Sequence, residues 1–258
     1  MLPEAARAVN RDASSGAAYV ACGHHAALAF LEKRPHDVSR VVLSQGGDVD
    51  VAMRVRASGL RPEPAEPALL GRLSQGLPHQ GIVAMGTPPS ALPLAGLDPA
   101  RHRLILALDG VTDPRNVGAM VRTAEAAGVA AVLVTKDRAP GWSPALVRAA
   151  AGAVEWLPFV RVTNLARSLG ALGDAGYWVL GLDGAAEVDI YSAGAVPGLP
   201  CVLVVGSEGE GIRPLVARSC HRLVSIPMTG RTASLNVSVA AAVAMFEIFR
   251  LARAGGGA

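Results

Sequence analysis

Five short apolar runs punctuate the second half of this 258-residue chain: LILAL (104–108), AAVLV (130–134), YWVLG (177–181), CVLVV (201–205) and RLVSI (222–226). Runs that are apolar at nearly every position belong in strands buried on both faces, and the helix-length spacers between them make a mostly parallel sheet. This half is therefore α/β. A composition of 51% hydrophobic against 17% charged residues supplies the core such a sheet needs.

Three strand-to-helix junctions stand out. DGVTDPRNVGAMVRTAEAAG (109–128), VLVVGSEGEGIRP (202–214) and IPMTGRTASLNVSVAAAVAMFEIF (226–249) each pass through Gly, Pro and small polar residues before a helix. Open α/β sheets keep their ligands at such junctions. In the first, Asp113 and Pro114 form a helix start, Gly128 a helix stop, and Val117, Met120, Val121 and Ala124 an apolar face. Asn116 falls in the first turn and Arg122 almost two turns on, where pairing with Glu125 is an ordinary surface alternative. The second has the glycine order G-x-x-G-x-G with Glu208 and Glu210 inside it, which suits a pyrophosphate poorly and a cationic ligand better. Glu208 reads equally as an exposed turn residue. In the third, Ser234 is a candidate cap of the final helix and Asn236 a polar residue of its first turn.

In order and spacing, these three segments resemble the three signature motifs of the SpoU/TrmH family of RNA ribose 2'-O-methyltransferases, from about Leu104 to Leu251. The resemblance implies an α/β-knot methyltransferase domain of the SPOUT type, its last segments threaded into a trefoil knot. It also implies S-adenosyl-L-methionine as cofactor, a homodimer and an RNA substrate. It assigns Asn116, Arg122, Glu208, Ser234 and Asn236 to catalysis, and Gly206, Gly211, Ile226, Met228 and Leu235 to the cofactor. Where the family often reads asparagine-serine-leucine-asparagine, this chain has Ala233, Ser234, Leu235 and Asn236. A guanidinium stays protonated at ordinary pH, so Arg122 suits binding a phosphate and orienting the 2'-hydroxyl better than removing its proton, whereas the resemblance implies a proton-accepting role assisted by substrate phosphate, and both positioning and activation stay open. The reaction needs no metal.

Residues 18–86 read as a smaller α/β domain: strand YVAC, helix HHAALAFLEK, strand RVVLS, helix DVAMRVRASG, a further helix near Pro67 to Ser74, and strand GIVAM. Through GHHAALAFLE and LPHQGIVAM this region resembles the amino-terminal RNA-binding domain of many family members, similar in fold to small ribosomal proteins. Lys33, Arg34 and Arg40, or Arg54 and Arg56, are its candidate RNA contacts. Residues 87–102, with four prolines and no sustained period, read as a linker, 103–253 as the methyltransferase domain, 1–17 as a disordered start and 254–258 as a flexible tail.

Within the family, this two-domain plan most resembles enzymes that methylate a guanosine of 23S rRNA. Enzymes of tRNA and antibiotic-resistance enzymes of rRNA are the alternatives, and a catalytically silent ribosome-assembly protein is a rival of another class. A nicotinamide-dependent oxidoreductase is disfavoured by the glycine order. The formal charge of +3 permits a nucleic-acid partner without demanding one. Cys22, Cys201 and Cys220 are scattered and odd in number, suggesting neither a disulfide framework nor a zinc site, and adjacent His24 and His25 diverge on a helix. No run of about 18 apolar residues and no signal-peptide core is present. These features lead to the expectation of a cytoplasmic enzyme with no membrane or DNA partner.

Overall fold

The computed structural model describes residues 19–196, 198–232 and 234–254. The expectations for residues 1–17 and for 254–258 lie outside these, except for Ala254, which ends the final helix. The first region comprises β1 (Tyr19–Cys22), α1 (His24–Lys33), β2 (Val38–Ser44), α2 (Val49–Ala57), β3 (Glu63–Ala65), α3 (Pro67–Leu73) and β4 (Ile82–Gly86). Its sheet has the order β1-β4-β2-β3, with β4 antiparallel to both neighbours and β3 parallel to β2. Strand β3 is Glu-Pro-Ala, without β-branched character. It exists because β2 offers it a ladder, and its proline is tolerated because it lies at the sheet edge.

The second region comprises β5 (Leu104–Asp109), α4 (Pro114–Ala126), β6 (Ala131–Thr135), α5 (Pro144–Ala149), β7 (Phe159–Val162), α6 (Leu165–Asp174), β8 (Trp178–Leu182), β9 (Cys201–Gly206), α7 (Pro214–Ala217), β10 (Arg222–Val224) and α8 (Val237–Ala254). All six strands are parallel, in the order β10-β8-β9-β5-β6-β7. Strand β7, Phe-Val-Arg-Val, escapes a sequence reading because it is four residues long and half of one face is Arg161. Chain order runs outward from β5 to β7, then returns to the far side through β8, so the switch point lies between β5 and β9. Their last residues, Asp109 and Gly206, are register partners. The loops that follow therefore emerge side by side.

Alternate residues of the sheet feed two cores. Leu104, Leu106, Leu108, Leu203 and Val205 pack under α4, α5 and α8, whereas Ile105, Ala107, Val202 and Val204 pack under α6 and α7. The first of these cores continues without a break into β1, α1 and α2, through Tyr19, Phe30 and Val55. The segment expected to be a linker is docked: Leu92 N–H donates to Phe159 O at 2.8 Å, a 3-10 turn follows at Leu94–Gly96, and Leu92, Leu94 and Leu97 pack into the second core. Proline restricts the chain without freeing it here, because the leucines between the prolines have apolar surface to bury.

Two candidate RNA contacts are otherwise engaged. Arg34 turns inward to Glu155, and Arg40 is paired with Glu63. No described helix is long and apolar enough to cross a membrane.

Candidate active site at the β5 and β9 switch point

Each of the three junctions builds one wall. After β5, the Asp113 carboxylate accepts the Arg115 N–H at 2.8 Å, and Pro114 occupies the first helical position. This cap fixes where α4 starts, and the buried face of Val117, Met120, Val121 and Ala124 fixes its rotation. Asn116 then points out of the first turn.

After β9 the chain makes a closed turn in which Ser207 and Gly211 exchange backbone hydrogen bonds of 3.1 and 3.0 Å. Gly209 and Gly211 have φ of 87° and 66°, the left-handed region that favours glycine. A Cβ on Gly206 would lie 2.1 Å from the Gly211 carbonyl carbon. Gly206, expected to be glycine so that a cofactor can approach, is already required by its own turn. Gly206→Ala is expected to force that turn open and destabilise the protein by about 2 kcal/mol, measured by urea unfolding; an unchanged midpoint would show that the turn relaxes freely.

Before α8, Asn236 is the cap: its Oδ1 accepts the Ser238 N–H at 2.9 Å and the Ser238 hydroxyl at 2.6 Å. The cap role considered for Ser234 belongs to Asn236, and Ser234 is exposed, outside the cluster. Capping aims the amide of Asn236 across the junction. Its Nδ2 donates to Glu208 Oε1 at 2.7 Å and to Asn116 Oδ1 at 3.1 Å, while Asn116 Nδ2 donates to Glu208 Oε1 at 3.1 Å. The Val237 N–H also points to Oε1, at 3.4 Å. The carboxylate thus sits at the start of α8, where the helix dipole favours negative charge. All these donors fall on Oε1, and among the described residues Oε2 receives none.

The structure brings Asn116, Glu208 and Asn236 together and leaves Arg122 apart. Six residues along α4, at about 100° each, place Arg122 a third of a turn from Asn116. It is exposed and makes no ion pair among the described residues, so the surface pairing with Glu125 is not formed. Half-buried Ile226 and Leu235 and exposed Met228 line the loop between β10 and α8. The N–H groups of Ile226, Met228, Thr229 and Gly230 make no backbone hydrogen bond to another described residue. Apolar surface beside free backbone donors is what a purine ring needs.

Beneath the cluster lies a pair that the sequence reading passed over. The Asp109 side chain is wholly buried and accepts the Arg213 N–H at 2.8 Å and Nε–H at 2.7 Å, with Nη2 at 2.5 Å. It ties the end of β5 to the chain two residues past the Glu208 turn. The available signal was an acid ending an apolar strand, where burial demands a partner.

The SpoU rRNA Methylase family matches residues 103–246. The 23S rRNA (guanosine-2'-O-)-methyltransferase RlmB of Vibrio vulnificus is 40% identical over 236 residues, spanning 88% of this chain and 95% of the relative. RlmB of Escherichia coli is 39% identical over 239 residues, spanning 88% and 96%. The AdoMet-bound rRNA methyltransferase of Sinorhizobium meliloti is similar in structure, with a TM-score of 0.75 at 26% identity over 91% of this chain and 87% of that one.

Proposed function

The chain belongs to the SpoU rRNA methylase family, and on that premise we propose that it methylates the ribose 2'-hydroxyl of a guanosine in 23S rRNA, using S-adenosyl-L-methionine. The observation that carries the reading is the convergence of Asn116 and Asn236 on Glu208 Oε1, which joins three segments far apart in sequence at one switch point.

Bound S-adenosylmethionine supplies an electrophilic methyl group. Gly206, Gly211, Ile226, Met228 and Leu235 are the residues that would hold it, and the free backbone donors of the 226–230 loop suit its adenine edge. What the protein contributes is orientation. With Oε1 saturated, Glu208 Oε2 would be left to accept a hydrogen bond from the 2'-hydroxyl, to fix the direction of its lone pair, and to take up the proton released as that oxygen is methylated. Asn116 and Asn236 keep that carboxylate in one rotamer, which makes this positioning catalysis. Ser234 stands at the rim of the same loop, within reach of the RNA rather than of the cluster.

Three finer features belong to the reading. A trefoil knot is supported by Ser225: it follows β10 and is bonded on both sides into the 183–200 loop, through Val188 O at 2.8 Å and Ile190 N at 2.9 Å, before α8 crosses to the face of α4 and β9. A homodimer is supported by α8, which exposes Phe246 and Val239. In such a dimer Arg122 serves as a phosphate-binding cation from outside the cluster, and Arg122→Ala is expected to lower methyl transfer about a hundredfold with an unchanged melting temperature; full activity would remove it from the site. An RNA-binding role for the first sheet, in the cytoplasm where ribosomes assemble, is supported by a cleft of about 300 Å³ lined by His24, Gln45, Arg56 and Gln80.

The test is transfer of labelled methyl to protein-free 23S rRNA and, in parallel, to bulk tRNA, with the label mapped by nuclease digestion and mass spectrometry. Label on a guanosine ribose of 23S rRNA is the expected result. Label on tRNA alone would overturn the substrate, and no label despite cofactor binding would favour a silent RNA-binding protein.

A further inference from the structure

The two regions meet over a buried carboxylate. Glu155 lies on a 3-10 turn of the second region (Ala153–Glu155), and its side chain is wholly inaccessible. Its Oε1 accepts the Tyr19 hydroxyl of β1 at 2.5 Å, and its Oε2 accepts Arg34 Nε–H, just past α1, at 2.8 Å. Burial first, and Glu155 second, push the Tyr19 phenol far above its ordinary range, so Tyr19 is the donor. Arg34 also donates to Asp37 and to Thr87 O, and its guanidinium lies 4.6 Å from the Phe30 ring centroid.

The surroundings leave no slack. A Cβ on Gly152 would lie 2.8 Å from Ala29 Cβ and 2.9 Å from His25 O, so the 3-10 turn is pressed against α1. Trp142 stands edge-on to both Tyr19 and Phe159, bridging the two sheets. Arg148 on α5 donates to Pro78 O at 3.0 Å, beside the first region's cleft. These contacts and the docked 87–102 segment set the orientation that Glu155 then secures.

We infer that Glu155, with Tyr19 and Arg34, is a positioning latch that holds the first sheet at a fixed distance from the Glu208 cluster, so that RNA long enough to touch both is preferred. This rests on the reading of the chain as an RNA methyltransferase. Two surfaces at a fixed span bind one ligand with a high effective concentration, and a loose tether forfeits it. A carboxylate with two interface donors suits such a latch, because without it the buried Tyr19 hydroxyl has no acceptor and Arg34 keeps only Asp37 and Thr87 O, both in or beside the first region, so nothing polar ties either residue to the 3-10 turn.

The test uses the full chain with Glu155→Ala and, should that variant fail to fold, Tyr19→Phe. Spin labels at Met53→Cys and Leu215→Cys, both exposed positions, in a Cys220→Ser background report the distance between regions. A single narrow distance is expected in the parent and a broadened one in the latch variant. An equally narrow distance in the variant overturns the latch. In parallel, the KM for a long 23S rRNA fragment is expected to rise about tenfold, with kcat and the kcat/KM of a short target hairpin unchanged. A purely structural role would lower kcat on both RNAs, and that result or an unchanged KM overturns the inference. If the parent methylates neither RNA, the proposed function fails while the distance measurement still decides the latch.

Discussion

Replacing Glu208 with alanine is expected to reduce methyl transfer at least about a hundredfold while the sheet remains folded, because the residue organises a site more than it supports a core. Oε1 gathers Asn116 Nδ2, Asn236 Nδ2 and the first N–H of α8, and removing it sets both amides free to rotate. A displacement of the order of 1 Å in a reacting group is enough for a loss of that size. The stability cost is expected to be only about 1 kcal/mol, since the carboxylate is exposed and water replaces it as acceptor. Asn236→Ala is expected to match the activity loss and to add the cost of a lost cap, also about 1 kcal/mol. The double variant is then expected to be no slower than either single one, as for residues that act as one unit. Kinetics with saturating cofactor, beside urea unfolding, checks all three. Near-normal turnover in Glu208→Ala with a lowered midpoint would reduce the residue to a structural turn.

What the sequence disclosed and what it hid follow a physical line. The apolar runs declared the parallel sheet because strands buried on both faces have to be apolar throughout, and Asp113-Pro114 declared the start of α4 because caps are local chemistry. Asn116, Glu208 and Asn236 stood out as polar residues at strand-to-helix junctions. Their meeting on one oxygen was not legible, since it depends on β5 and β9 being neighbours although 92 residues separate Asn116 from Glu208. The same reason hid the docking of the first region. Arg34, counted as a cation free for RNA, is bonded to Glu155 121 residues away. Prolines between 88 and 99 suggested a free linker, whereas the leucines among them decided the outcome by finding the edge of β7. Ser234 and Asn236 were separable only by geometry, because either polar residue satisfies a local capping rule.

Asp109→Ala is expected to destabilise the protein by about 3 kcal/mol and to lower turnover with it. The Asp109 side chain is fully buried at the end of β5, and three contacts from Arg213 converge on it. Without it the Arg213 backbone N–H loses its acceptor, and the guanidinium, 34% exposed, turns to solvent. Gly206 to Arg213 would then lose the anchor that holds the Glu208 turn beside Asn116. Arg213→Ala is expected to cost as much, since the carboxylate that remains has no route to water. The two together are expected to cost less than the sum, because removing both partners leaves no unpaired charge. Cys220 offers a local report: burial first, and Asp109 second, push its thiol up to about 12. Asp109→Ala is therefore expected to lower that value and speed thiol modification under conditions where the fold persists. Additive losses in the double variant, with Cys220 reactivity unchanged, would mean that Asp109 acts by filling space, whereas strong coupling with a faster thiol identifies a buried charge that anchors the catalytic turn.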